Sequence, residues 1–111
     1  MLLQFLVPPS ITDPPNQIIS AKEGKTWQFT CHALGSKPSV VTWYFGGKRH
    51  GLPSKAIVTY DGTLILRTIT ASYQGRYTCV VQNAAGTTSQ DKHFFVGKLL
   101  TNIMERMLLE P

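Results

Sequence analysis

Acidic side chains are scarce in this sequence: 6 Asp and Glu stand against 11 Lys and Arg, for a formal charge of +5. Asp13, Glu23, Asp61, Asp91, Glu105 and Glu110 fall mostly at turns or in the tail, whereas acid–base catalysis requires carboxylates that converge in a pocket. Cysteine is limited to Cys31 and Cys79, so the close Cys-x-x-Cys spacing of an oxidoreductase or a zinc site is absent. His32, His50 and His93 lie in different parts of the chain without ligand spacing, which argues against a metal site. There is no Gly-x-Ser-x-Gly, phosphate loop or dinucleotide fingerprint. No enzyme and no cofactor is expected. Long apolar runs are missing too. Met1 to Val7 is cut short by Pro8-Pro9, and the C-terminal tail carries Lys98, Glu105, Arg106 and Glu110, so no membrane insertion by this segment is expected. None of Asn16, Asn83 and Asn102 begins an Asn-x-Ser/Thr site. That fits either a buried place in an array or a cytosolic life.

What is present is a short globular chain. Its 111 residues are 42% hydrophobic and 15% charged, enough for one domain and too apolar for disorder. Its patterning is that of strands. Gly75 to Gln82 alternates with Tyr77, Cys79 and Val81 on one side and Arg76, Thr78 and Val80 on the other. It runs into Asn83-Ala84-Ala85-Gly86, small residues that signal a tight hairpin turn. A second alternating run, Trp27 to Cys31, places Trp27, Phe29 and Cys31 inward. A third, Val40 to Phe45, places Val41, Trp43 and Phe45 on the apolar phase. Gly46-Gly47 and Asp61-Gly62 supply turns, Ala56 to Tyr60 and Thr63 to Ile69 read as strands, and Thr87 to Val96 is the last strand. Ile11 to Ser20 reads as an edge strand interrupted by Pro14-Pro15, where missing donors discourage edge pairing. No helix is expected before residue 97.

The order Cys31, Trp43, Tyr77, Cys79 resembles the immunoglobulin fold, which carries a tyrosine two residues before its second cysteine. Glu23-Gly24, Gly62-Thr63-Leu64-Ile65-Leu66, Gly75-Arg76-Tyr77-Thr78-Cys79 and Asn83-Ala84-Ala85-Gly86 are similar to the intermediate (I-set) subfamily. The resemblance implies an all-β fold: a two-sheet antiparallel β-sandwich with Greek-key connections, over residues 8–96. It implies a structural disulfide between Cys31 and Cys79, and a core signature of Trp43, Leu66 and Tyr77. The stretch between the cysteines is too short for the two extra strands of a variable domain. Position 73 is Tyr where the family usually has Asp. The resemblance therefore keeps the corner hydrogen bond of Tyr77 and drops the usual aspartate ion pair.

The flanks read separately. In tandem arrays of the family, words similar to Val7-Pro8-Pro9-Ser10-Ile11 join one domain to the next. Residues 1–7 are thus the tail of a preceding domain or an arbitrary end of the chain. Residues 97–111 place Leu100, Ile103, Met104, Met107 and Leu108 on one helical face. They read as an amphipathic docking tail outside the domain, or as a stripe covering part of it. A third reading is translated intron, because Gly97-Lys98 is the dipeptide that the splice-donor sequence GGTAAG encodes.

Two surfaces are candidates for contact. Phase puts Val40, Thr42 and Tyr44 on the outward side of one sheet beside Arg76, Thr78, Val80 and Gln82. The mixture resembles an interface core with its rim. Lys48, Arg49 and His50 form a basic loop suited to an acidic, sulfated glycan rather than to nucleic acid, since point charges suffice for the glycan. The resemblance implies a non-catalytic protein-binding or spacer module of a cell-adhesion, receptor or extracellular-matrix protein. Its partners would be another protein or neighbouring immunoglobulin domains, and its place extracellular or at the cell surface. The alternative is a titin-like structural domain in the cytoplasm of the sarcomere.

Overall fold

The computed structural model describes residues 5–48 and 51–98, and these form nine strands joined by turns. In chain order they are β1 (Ser10–Ile11), β2 (Gln17–Lys22), β3 (Trp27–Phe29), β4 (Ala33–Leu34), β5 (Val40–Phe45), β6 (Ile57–Val58), β7 (Leu64–Leu66), β8 (Gly75–Asn83) and β9 (Gly86–Gly97). A four-stranded sheet, β2-β9-β8-β5, faces a three-stranded sheet, β3-β7-β6, and β1 pairs with β4 as a short ribbon. β5 is Val-Val-Thr-Trp-Tyr-Phe, β-branched and aromatic throughout, and its bounds are those the alternation predicts. β8 and β9 are joined by the turn at Ala84-Ala85. All pairings are antiparallel except β2 with β9, which run parallel.

That exception has its origin at Pro14-Pro15. The expected edge strand over Ile11 to Ser20 is two strands: β1 pairs with β4, the chain turns through the prolines, and β2 pairs with β9. Proline has no N–H to give to a ladder, so the sheet switch occurs where the ladder would have been broken in any case. Other segments are shorter than their patterns suggest. The strand expected over Ala56 to Tyr60 is confined to Ile57 and Val58, both exposed, and Tyr60 projects fully into solvent. The run Trp27 to Cys31 is a strand only to Phe29, and Trp27 and Cys31 are half-buried. Ile69 is buried although it lies beyond the end of β7.

The interior is a cluster of Phe29, Trp43, Leu64, Leu66, Ile69, Tyr73, Tyr77, Cys79 and Phe94. Phe29 stacks on Tyr77 at 5.0 Å between ring centroids and meets Phe94 edge-on at 5.2 Å, geometries that add to area burial. Trp43 Nε1 donates to the Gly62 carbonyl at 2.7 Å. Gly62 has φ +89°, and a Cβ there would lie 2.7 Å from Val41 Cβ, so only glycine serves at this junction of turn and core. Cys31 and Cys79 are joined by a disulfide with Cα atoms 6.5 Å apart, closing a separation of 48 residues. On the chain-entropy model such a bridge contributes about 4 kcal/mol. The crossing between sheets is a single 3-10 turn, Ala71–Tyr73. Tyr73 occupies the core edge in place of the family's aspartate, and the Tyr77 hydroxyl donates to its carbonyl at 2.6 Å. Burial pushes that hydroxyl well above the usual tyrosine range.

Candidate functional site

The register of β5, β8 and β9 assembles one broad sheet face. Val40 lies opposite Gln82, Thr42 opposite Val80 and Tyr44 opposite Thr78. The rows continue to Thr87, Ser89 and Asp91, and Arg76 lies opposite His93. All seven residues expected there from phase, Val40, Thr42, Tyr44, Arg76, Thr78, Val80 and Gln82, thus share one side of the sheet. Val40 is 64% exposed, Arg76 and Gln82 are exposed, and the other four are half-buried. The Thr78 hydroxyl donates to Asp91 Oδ1 at 2.6 Å, which fixes both side chains in the middle of the face. The core signature lies beneath: Trp43, Leu66 and Tyr77 are all buried. Of the basic loop, Lys48 is exposed and forms an isolated bridge with Phe45, while Arg49 and His50 lie outside the described residues. The amphipathic tail from residue 99 onward lies outside them as well.

A second arrangement forms at the pole where the N-terminal segment arrives. Asn83 uses every hydrogen-bonding position of its side chain. Its Oδ1 accepts from the N–H groups of Ala85 at 2.8 Å and Gly86 at 3.1 Å, which sets the β8–β9 turn. Its Nδ2 donates to the carbonyl oxygens of Val7 at 2.8 Å and Ser36 at 3.1 Å. Val7 and Ser36 are joined twice more. The Val7 N–H donates to Ser36 Oγ at 2.7 Å, and the Ser36 N–H donates to the Val7 carbonyl at 3.0 Å. A Cβ at Gly35 would sit 3.0 Å from both the Pro8 carbonyl oxygen and Pro9 Cα, so the chain crosses this loop only over a glycine. Pro9 is buried in the seat. Residues Val7 to Pro9 are therefore clasped to two loops before β1 begins.

A third cluster was not legible as a site. Lys92 is 2% exposed, and its ammonium donates to Gln17 Oε1 at 2.9 Å and Gln90 Oε1 at 3.1 Å, with Asp13 Oδ2 at 3.5 Å. Asp13 also accepts from the His32 N–H at 3.0 Å and lies 2.8 Å from His32 Nδ1. Gln90 Nε2 donates to the Asp13 carbonyl. Partial burial raises the affinity of the Asp13 carboxyl for a proton. The His32 side-chain and backbone bonds, with the charge of Lys92, outweigh it and hold the carboxyl below its ordinary range. Asp13, Gln17, His32 and Lys92 line a cleft of 430 Å³ with Trp27, whose Nε1 is buried without a partner among the described residues. The inward phase of Gln90 and Lys92 in the last strand is the signal that could have found the cluster. The ammonium gives two hydrogen bonds and one ion pair, so the arrangement is a tie between β9 and the Asp13 bend rather than a reactive centre. Among the described residues there is no cluster of His, Cys, Asp and Glu able to hold a metal ion.

A family model described as an immunoglobulin domain matches residues 8–83. Protein turtle homolog B of Mus musculus is 35% identical over 94 residues, covering 85% of this chain and 7% of that protein. The basement membrane-specific heparan sulfate proteoglycan core protein of Mus musculus is 34% identical over 83 residues, 72% of this chain and 2% of that protein. Contactin-2 of Homo sapiens is 34% identical over 86 residues, 78% of this chain and 8% of that protein. The chain therefore spans only a small fraction of the length of each of these relatives. Among solved structures, Drosophila OTK extracellular domains 3-5 superpose with a TM-score of 0.71 at 25% identity, over 83% of this chain and 32% of that one. The titin M10–obscurin like 1 Ig complex gives 0.70 at 26% identity, over 84% and 97%.

Proposed function

The chain belongs to the immunoglobulin domain family, and on that premise we propose that it is a non-catalytic protein-binding or spacer module of a cell-adhesion, receptor or extracellular-matrix protein, one unit of a tandem series. The observation that carries this reading is the clasp on Val7 to Pro9. A freely jointed linker leaves its two neighbours to diffuse about each other. A linker whose last residues are held by Asn83, Ser36 and the Gly35 loop fixes the direction in which the chain enters the domain. Residues 1–7 then act as the end of a preceding domain, residues 8–96 as the module and residues 97–111 as an appended tail. The likeness to a basement-membrane proteoglycan core protein and to extracellular domains supports an extracellular setting, as does the disulfide, which persists in oxidising compartments.

On this rigid scaffold the face around Val40, Thr42, Tyr44, Arg76, Thr78 and Val80 is the candidate surface for a protein partner. Lys48, with Arg49 and His50 in sequence, is the candidate contact for an acidic glycan. Loss of heparin-column retention in Lys48→Glu/Arg49→Glu supports the glycan contact, and unchanged retention rejects it.

The linker reading is tested by fusing a rigid reporter domain in front of residue 1 and measuring the interdomain distance distribution by small-angle scattering. A narrow distribution in the wild-type chain that broadens in Asn83→Ala is expected. A wild-type distribution as broad as that of the variant overturns it. A titin-like cytoplasmic place is favoured by the likeness to the titin M10 complex. The two settings separate on the thiol state of Cys31 and Cys79 in native cells lysed into an alkylating reagent. An unmodified mass means the extracellular setting, and two added alkyl groups mean the cytoplasmic one.

A further inference from the structure

We propose that the outer edge of β2 is a self-pairing site, through which two copies of this chain join antiparallel, β2 to β2, about a two-fold axis at Ser20. The direction of the backbone groups follows from one bond. The Glu23 N–H donates to the Gly97 carbonyl at 2.9 Å, so Glu23 aims its groups at β9. Alternation along a strand then aims those of Ala21 and Ile19 at β9 and those of Ile18, Ser20 and Lys22 away from it. Among the described residues, none of these outward groups has a hydrogen-bond partner except the Lys22 carbonyl, which accepts from Lys25 N–H at 3.3 Å.

The other sheet edges offer less. On β5, Trp43 is 2% exposed and Phe45 exchanges both of its backbone bonds with Lys48. β6 is two residues long and β3 three. The residues of β2 that aim outward are exposed, with Ile18 at 74%, and its proline pair stands upstream where it protects nothing. A row of unpaired donors and acceptors of this kind is a template for another strand.

The second copy is favoured over an unrelated strand by register. The extended segment lies between two left-handed residues, Asn16 at φ +53° and Gly24 at φ +82°, and its midpoint is Ser20. Ser20 is one of the outward-aiming residues, so a two-fold through it makes Ser20 face Ser20 and Ile18 face Lys22 of the other copy, all as hydrogen-bonded pairs. Lysine meets the aliphatic Ile18 rather than another lysine. Phe95, 47% exposed, is the neighbour of Ser20 on β9 and borders the seam with Ile18. The formal charge of +5 on each copy opposes approach, so added salt strengthens the pairing. With one strand edge per copy the contact is small, and association is expected at roughly 0.1 to 1 mM.

The experiment is sedimentation velocity on the full chain up to ~1 mM, with amide hydrogen exchange followed by NMR across the same range. Expected is a dimer whose formation protects the N–H groups of Ile18, Ser20 and Lys22. Ser20→Pro removes the central donor and should weaken the dimer by at least ~10-fold. Ile18→Lys places a lysine opposite Lys22 and should weaken it similarly, and I18K/K22E, which makes each facing pair opposite in charge, should restore it. A monomer at every concentration overturns the proposal. So does a dimer that leaves those three amides unprotected, that survives Ser20→Pro, or that is not rescued in I18K/K22E. Rescue depends on folded protein alone, so it decides the matter even if Ser20→Pro disturbs the fold.

Discussion

Two extended segments flank Pro14-Pro15, and they are treated oppositely. Upstream, Val7 to Asp13 is held from several sides. Asn83 and Ser36 take Val7, the His32 carbonyl accepts the Thr12 N–H, and Asp13 is bonded to His32, Gln90 and Lys92. Downstream, β2 is held on one side by β9 and is open on the other. The same chain thus fixes one segment through long-range side-chain bonds and leaves the next with an unfilled ladder. Fixing a segment sets the direction in which the chain enters the domain, whereas an open ladder sets what can be added. The contrast makes opposite demands on mutation: changes upstream should cost stability, and changes at the outer edge of β2 should cost almost none.

Upstream of the prolines the largest effect is expected at Asp13. Asp13→Ala removes the carboxylate beside a lysine that is 2% exposed, and stranding a buried charge costs about 3 kcal/mol. Urea denaturation measures it. Replacing both partners by apolar groups, as in D13A/K92M, should recover most of the loss, because a buried pair is worth little more than well-packed hydrophobic residues. Next comes Asn83→Ala, which orphans donors and acceptors in both loops of the clasp and should cost about 2 kcal/mol. Asn83→Asp keeps the two acceptor bonds of the turn and loses the two donors to Val7 and Ser36. It sets a carboxylate oxygen against those two carbonyl oxygens and should therefore free the N-terminal segment while the turn is kept, seen as faster exchange of the Val7 and Ser36 amides. A wild-type rate in Asn83→Asp would mean that the turn, rather than the linker, is what Asn83 serves.

Acid sharpens the same contrast. The Asp13 carboxyl is held below its unfolded value, so its contribution is complete above that value, near pH 4, and is lost as pH falls through the lower folded one. Stability of the wild-type chain should exceed that of Asp13→Asn at neutral pH, and the gap should close on acidification below about pH 4. A gap independent of pH would show that the bonds of Asp13, and not its charge, tie the bend.

The parts legible in the sequence are those fixed by near neighbours. Alternation in Val40 to Phe45 gave β5 because each residue there is β-branched or aromatic and the phase is unbroken. Gly75 to Asn83 and the turn at Asn83 to Gly86 were legible for the same reason, whereas the corner bond of Tyr77 was what the family resemblance implied. The candidate face followed from phase alone, since strands that pair in register put alternate residues on one side. What was not legible depends on partners far along the chain. Lys92 alternates inward with Gln90 and Phe94, but its acid, Asp13, enters from the other end of the sequence. Asn83 could be read as a turn residue and not as the holder of Val7. The prolines at 14 and 15 marked an edge, while the switch they allow, from pairing with β4 to parallel pairing with β9, is decided by the second sheet. Ile57 and Val58 show the converse. Their pattern promised a longer strand, and only two residues find a ladder on β7.

The smallest effect is expected at Ser20. Proline in an ordinary strand removes a ladder bond and is excluded from central positions. At Ser20 the N–H points away from β9, the side chain is exposed, and an extended backbone already lies close to what proline and the residue before it require. Ser20→Pro should therefore shift the unfolding free energy by no more than about 0.5 kcal/mol, the range of surface changes that touch no partner. Ile19→Pro, one residue away, removes an N–H that aims at β9 and a side chain packed on the core, and should cost about 3 kcal/mol. This neighbouring pair, measured by denaturation in dilute solution where every chain is a monomer, tests the assignment of which groups on β2 are free. Equal losses at the two positions would show that the alternation is misassigned, and the open edge with it. A large difference in the expected sense would show that β2 is held along one side only, which is the property the clasped segment before the prolines does not have.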